Sequence, residues 1–289
     1  MIFIKNHNNS NEREGFMSII PSFFLDSVVT LGVKEENHDT KETTFFTLGS
    51  GFMVFRRTNG DIGYCFIITN KHVIENRKVM YARFNHIHGG FEELEISLIN
   101  RTGKDVLYMH PNPNIDIAAI CINLEYFSKN DFVISHFILN DHSLTKNQMQ
   151  SVGIAEGSFI YSLGFPMNLV DTIKTPICRM GCISRIQDLY LDNTRYTYII
   201  DTQVFPGNSG GPVITRPELA SIEGTPVHSH ASLIGIVYAY IPYRETLISL
   251  QDHLPRNIVQ ENSGLALVHP VDCIIEIVDI AVKILSTPS

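Results

Sequence analysis

The sequence predicts an all-β chain closed by a single helix, and three observations lead there. Short apolar or alternating runs of strand length recur from Val28 to Tyr240. One segment only, near the carboxyl end, carries a helical period. At 289 residues, without an internal repeat or low-complexity stretch, the chain is long enough to bury a full core as one compact unit.

The strands are read in order. Val28 to Val33, Gly51 to Phe55, Gly63 to Thr69, Val79 to Phe84, Glu92 to Ile99 and Ile117 to Ile122 form a first group. Phe159 to Leu163, Thr197 to Ile200, Pro212 to Thr215 and Leu233 to Tyr240 form a second. β-branched and aromatic residues fit a pleated, half-buried surface, which is why these runs read as strands. Between the groups, the polar stretch Asn140 to Gln150 is the expected crossing. From Val271 to Leu285, residues Ile274, Ile275, Ile277, Val278, Ile280, Ala281 and Ile284 share a helix face, with Asp272 and Glu276 early and Lys283 late. This helix is expected to cover core rather than to bind a partner.

Composition narrows the class. Formal net charge is −8, and Lys and Arg are scattered, so no basic patch exists to neutralise phosphates and nucleic acid is not an expected partner. Polar Asn6 to Glu14 precede an apolar segment broken by Pro21 and Asp26, which does not read as a secretory signal. No run of about eighteen uncharged apolar residues occurs, so no membrane helix is expected. Five cysteines, an odd number, suit a reducing compartment, and a cytoplasmic location is expected. Cys65, Cys121 and Cys273 lie in apolar runs and read as small buried hydrophobes. Cys178 and Cys182 would share a strand face about 13 Å apart, too far to bridge. His86 with His88 and His228 with His230 each lack a third ligand nearby, so no metal and no other cofactor is expected.

The chemistry concentrates in Phe205-Pro206-Gly207-Asn208-Ser209-Gly210-Gly211-Pro212, a glycine-flanked turn that can expose one serine hydroxyl and turn neighbouring amides outward. A serine hydroxyl is a weak nucleophile at neutral pH and needs a histidine base and a carboxylate that orients it. His72 ends the apolar run Phe66 to Thr69 in a polar turn, and Asp116 enters the apolar strand Ile117 to Ile120. Asp105 and Asp131 lie in polar runs and are weaker candidates for the carboxylate.

In these motifs the chain resembles a trypsin-like, chymotrypsin-fold serine peptidase, most closely the protease domain of the HtrA family. Leu48-Gly49-Ser50-Gly51-Phe52, Ile68-Thr69-Asn70-Lys71-His72-Val73, Ser162-Leu163-Gly164-Phe165-Pro166, Gly181-Cys182-Ile183-Ser184, Ile200-Asp201-Thr202, Leu233-Ile234-Gly235-Ile236 and Gly264-Leu265-Ala266-Leu267-Val268-His269-Pro270 follow in that family's order. The resemblance implies two six-stranded antiparallel β-barrels with a C-terminal α-helix. The implied organisation is an N-terminal extension at 1–23, a first barrel at 24–139, a crossing at 140–152, a second barrel at 153–270 and the helix at 271–289, packed on the second barrel.

It implies further that His72, Asp116 and Ser209 form a catalytic triad of a serine endopeptidase, with the N–H groups of Gly207 and Ser209 as the oxyanion hole. Gln203 to Pro206 (Gln203, Val204, Phe205, Pro206) and Tyr238, Ala239 and Tyr240 are expected to wall the substrate pocket. None is acidic, so uncharged, small or medium side chains are expected there, although Ile241 to Asn262 could fold across it. Asn208 stands where secreted digestive relatives carry an aspartate that pairs with a freed amino terminus, so activation by that cleavage is not expected. Regulation is then expected through loop ordering, with Asn140 to Glu156 as the regulatory loop, and the 80 residues after Ser209 leave no room for a PDZ-type module. The expected partners are a polypeptide substrate and an activating protein or a homo-oligomer. The alternatives are an idle peptide-binding module of the same fold and an esterase using the same triad.

Overall fold

A computed structural model describes residues 20–36, 41–60, 62–99, 106–169, 175–218 and 228–287. After a short helix α1 (Ser22–Asp26), the first sheet is built from β1 (Val28–Glu36), β2 (Thr43–Asn59), β3 (Ile62–Thr69), β4 (Val79–Asn85), β5 (Phe91–Ser97), β6 (Leu107–Met109), β7 (Ala118–Ile122) and β8 (Phe137–Ile138). Its order is β5-β4-β1-β2-β3-β7-β6, with β8 pairing β2 in parallel. It therefore has eight strands where six were expected, because Leu107–Met109 and Phe137–Ile138 add edges too short to read as strands in sequence. Two short helices interrupt it: α2 (Lys71–Ile74) and α3 (Leu124–Lys129).

The crossing contains α4 (Lys146–Ser151), opened by a capping box in which Thr145 and Gln148 satisfy each other's backbone. The second half is a closed barrel, β10-β11-β14-β13-β12-β9, made of β9 (Phe159–Gly164), β10 (Ile177–Arg185), β11 (Tyr198–Asp201), β12 (Pro212–Thr215), β13 (Leu233–Ile248) and β14 (Pro255–Pro270). A helix α5 (Gln187–Leu191) lies between β10 and β11, and α6 (Val271–Ser286) closes the chain. Ile241 to Asn262 pairs with itself as the outer part of a long β13–β14 hairpin, with Leu247, Ile248, Leu250 and Leu254 exposed.

Alternation along the strands divides the apolar residues among three cores. In β2 and β3, Met53, Phe55, Cys65 and Ile67 point into the first sheet's interior, while Phe52, Val54, Phe66 and Ile68 point out of it. In the second barrel Ile160, Ile200, Val213 and Val268 point inward, and Tyr161, Leu163 and Ile214 point out. The two outward sets meet as one buried seam. A strand buried on both faces must read as a continuous apolar run, and Phe66-Ile67-Ile68 does.

The closing helix differs from expectation in where it packs. Ile274, Ile277, Val278 and Ala281 join the seam cluster that contains Phe66, Tyr108 and Ala119, so the helix spans both halves rather than the second barrel alone. Arg56 on β2 pairs with Asp279 at 2.8 Å, and Tyr64 Oη lies 3.3 Å from Ser286 Oγ. The first sheet offers an outward apolar stripe that needs cover, and the helix supplies it.

Candidate active site

The seam brings residues from separate stretches of the chain together. β3 runs to Thr69, and the buried Asn70 leads into α2, whose second residue is His72. Asn70 Nδ2 donates to the carbonyl of Asp116 at 2.7 Å, so the turn after β3 holds the approach to β7 directly. Asp116 then receives His72 twice. The His72 amide donates to Oδ1 at 3.2 Å, and the ring Nδ1 lies 2.5 Å from Oδ2.

Burial would raise the Asp116 carboxyl, but the hydrogen bonds and the neighbouring His72 outweigh it, and its pKa lies below the ordinary carboxylate value. An ionised acceptor at Nδ1 fixes the tautomer that leaves Nε2 bare, the form a general base requires.

Ser209 lies in the turn between β11 and β12, and this turn is stitched to the first sheet. The Ser50 amide donates to the Ser209 carbonyl at 2.7 Å, and Ser50 Oγ donates to the Gly207 carbonyl at 2.7 Å while accepting from the Phe165 amide at 2.9 Å. Ser50 is fully buried. A Cβ on Gly49 would stand 3.0 Å from the Ser209 carbonyl and 2.7 Å from Val73, the residue after His72, so the serine turn and the histidine helix share one wall. Among the described residues no hydrogen bond joins Ser209 Oγ to the His72 ring; such contacts commonly tighten only when substrate binds.

The turn itself has a defined polarity. The Asn208 amide donates to the Phe205 carbonyl at 2.9 Å, and Asn208 Oδ1 accepts from the Phe205 amide at 3.0 Å. Between them Gly207 adopts φ +101°, and a Cβ there would lie 2.3 Å from the Phe165 carbonyl, so only glycine fits. The Pro206 carbonyl accepts from the Met167 amide at 2.8 Å. In a trans peptide the carbonyl and the following N–H point in opposite directions, so the Gly207 N–H is aimed away from Met167. Neither it nor the Ser209 N–H has an acceptor among the described residues. The arrangement leaves two amides of one tight turn free for an incoming anionic oxygen.

The expected pocket residues divide. Gln203 and Pro206 are exposed, Phe205 is half-buried beneath the Arg179 guanidinium at 5.2 Å, and Ala239 is half-buried. Val204 is buried in the barrel interior, with its carbonyl held by Asn262 Nδ2 at 2.6 Å. The Tyr240 hydroxyl accepts from Gln260 Nε2 at 2.9 Å. Tyr238 stacks face to face on His269, centroids 3.9 Å apart and planes 8° apart, so its ring packs against the back of Asp116's support. Asp131 lies outside this constellation, with φ +55° and a carbonyl that accepts from Ile87, and Asp105 lies outside the described residues. His86 stacks on Phe132, and His228 is bonded to Thr215; among the described residues no group of three or more His, Cys, Asp or Glu gathers as a metal site. All five cysteines are free.

Ser50, Asn70, Met167 and His269 are the supporting residues that the motif reading did not single out. Ser50 lay in plain view between Gly49 and Gly51, but its partners are more than a hundred residues away in sequence.

Among solved structures, an HtrA-type protease with tripeptide is similar to this chain at 17% identity and a TM-score of 0.46, covering 91% of this chain and 62% of that one. The chain thus spans less than two thirds of that structure's length. No curated protein sequence matches. The trypsin-like peptidase domain family matches residues 49–218, more than half of the chain and the whole stretch from Gly49 through His72 and Asp116 to Ser209. With the chymotrypsin-like fold described above, the chain belongs to the trypsin-like peptidase domain family.

Proposed function

We propose that this protein is a serine endopeptidase acting through Ser209, His72 and Asp116. The observation that supports it most is the His72 Nδ1–Asp116 Oδ2 pair at 2.5 Å beside a serine turn docked on the same wall of the first sheet. Ser209 Oγ attacks the peptide carbonyl while His72 Nε2 takes its proton; the oxygen that becomes anionic is held by the Gly207 and Ser209 N–H groups. Collapse of the tetrahedral intermediate breaks the C–N bond, His72 returns the proton to the leaving amine, and water then releases the acyl group by the same route. Asp116 keeps the imidazole in one tautomer and stabilises the imidazolium. Losing the nucleophile costs up to about 10⁶ in turnover in the best-studied case.

The substrate we infer is an extended polypeptide with an uncharged residue before the scissile bond, since no acidic side chain stands at Gln203 to Pro206 or Tyr238 to Tyr240. Esters are turned over by the same acyl chemistry. Regulation by a protein partner or by self-association, rather than by cleavage of a precursor, belongs to the same proposal. One observation favours a second reading, a latent or idle peptide-binding module: Ser209 Oγ is not bonded to His72.

Fluorophosphonate labelling, read as mass addition on the native chain, Ser209→Ala and His72→Ala, separates the two. Labelling of the native chain alone supports the peptidase; a folded native chain that never labels, with or without unfolded polypeptide added, overturns it.

A further inference from the structure

His269, the penultimate residue of β14, is fully buried and makes two hydrogen bonds of opposite kind. Its Nε2 accepts from the Asp116 backbone N–H at 3.0 Å, and its Nδ1 lies 2.7 Å from the carbonyl oxygen of Tyr196. A backbone N–H can only donate and a carbonyl can only accept, so the ring is neutral, with the proton on Nδ1 and Nε2 bare. Tyr238 covers one face of the ring in a parallel stack, and the Tyr238 hydroxyl is itself tied to Thr197 Oγ1 at 3.2 Å.

This contact crosses between the two halves of the molecule. Asp116 belongs to the first half, whereas His269 continues the barrel that carries Ser209. Asp116 is gripped through its carbonyl by Asn70 and through its amide by His269, and only then does its carboxylate meet His72. The backbone on either side of its side chain is therefore clamped, once from each half.

We propose that His269 is a positioning residue for the triad, setting the placement of the Asp116 carboxylate against His72 by accepting the Asp116 amide. The inference rests on the proposed serine chemistry for its catalytic meaning, but its structural content stands apart from activity. A buried histidine that merely filled space would leave the His72–Asp116 bond unchanged when altered, whereas a positioning residue would not.

The test compares the native chain with H269N and H269Q. An asparagine amide takes the place of Nδ1 and still donates to Tyr196, but stops short of Asp116. The longer glutamine carries its oxygen to where Nε2 stood and restores an acceptor for the amide. The first readout is the low-field proton resonance of His72 Nδ1, which needs no turnover; the second is the rate of fluorophosphonate labelling.

We expect the resonance to be kept in the native chain and H269Q and lost to exchange in H269N, whose labelling falls about tenfold to a hundredfold while H269Q stays within about threefold of native. A folded H269N chain that keeps the resonance overturns the proposal. If H269N does not fold, H269L takes its place as the variant without an acceptor: retention of the resonance there overturns the proposal, and its loss there with retention in H269Q supports it. A native chain that does not label but whose resonance still responds in this pattern upholds the positioning role and overturns the peptidase reading instead.

Discussion

The hydroxyl of Ser50, in the first sheet, donates to the carbonyl of Gly207, in the turn between β11 and β12, at 2.7 Å. One buried side chain thus holds the glycine turn whose amides face the site, and it also satisfies the Phe165 amide. Ser50→Ala leaves the Gly207 carbonyl and the Phe165 N–H without these partners, at about 1–3 kcal/mol for each buried group. We expect a folded chain of lower melting temperature whose labelling at Ser209 falls more than its stability explains. Equal labelling rates for the two chains at 20 °C below either melting point would rule out a role for Ser50 in ordering the turn.

Gly207→Ala is expected to be more severe. The new Cβ would stand 2.3 Å from the Phe165 carbonyl, at a φ of +101° that side chains rarely adopt. Backbone strain of this kind costs on the order of 1–3 kcal/mol, and the turn must rearrange to relieve it. Labelling should disappear while circular dichroism still reports strands; full labelling would mean that the turn tolerates a different shape.

The closing helix allows a comparison of two kinds of contact. The Arg56–Asp279 pair is partly exposed, and exposed ion pairs contribute about 0–1 kcal/mol. Ile277 is 1% exposed, and truncating a buried isoleucine costs about 2–5 kcal/mol. Urea denaturation should therefore find Ile277→Ala far more damaging than Asp279→Asn, and the reverse order would place the helix's hold on the first sheet in the ion pair.

Stability should fall as pH is lowered from 6.5 toward 4. Burial holds the His269 imidazole down to about 4 against an ordinary 6.5, with the Tyr196 carbonyl and Asp116 acting the other way and His110 and Lys71 acting with burial. Burial, and next to it His142, does the same to His136. A depressed folded value means that the unfolded chain binds the proton first, so the stability is complete above 6.5 and is lost as pH falls through this window. Asp116, held low, adds a further loss only below the ordinary carboxylate range. Denaturant midpoints measured from pH 7 to 4 should drop, and H269Q should flatten part of the slope. A midpoint unchanged over that range would contradict the buried neutral imidazoles.

Much of the candidate site was legible because the residues proposed for it lie in short local motifs. The glycines around Ser209, the turn at His72 and the carboxylate at the mouth of an apolar strand announce themselves within a few residues. Alternation likewise marked most strands and the helical period of residues 271–285. The two-residue β8, the short β6 and the small helices escaped, since elements of a few residues carry no period to detect; the long β14, whose outer half is polar, escaped as well, and β10 showed only through Cys178 and Cys182.

What the sequence by itself determined is the inventory: most of the runs that pleat, where one helix closes the chain, and which serine, histidine and aspartate are the candidates for the proposed triad. What only the tertiary structure decided is the support, namely Ser50 beneath the serine turn, Met167 on the Pro206 carbonyl, His269 on the Asp116 amide, and a helix that covers both halves. The physical reason is range. Strand period and turn preference are local properties of the backbone, but a buried donor finds its acceptor through the packing of two sheets, and partners 153 and 157 residues apart leave no trace in the intervening sequence.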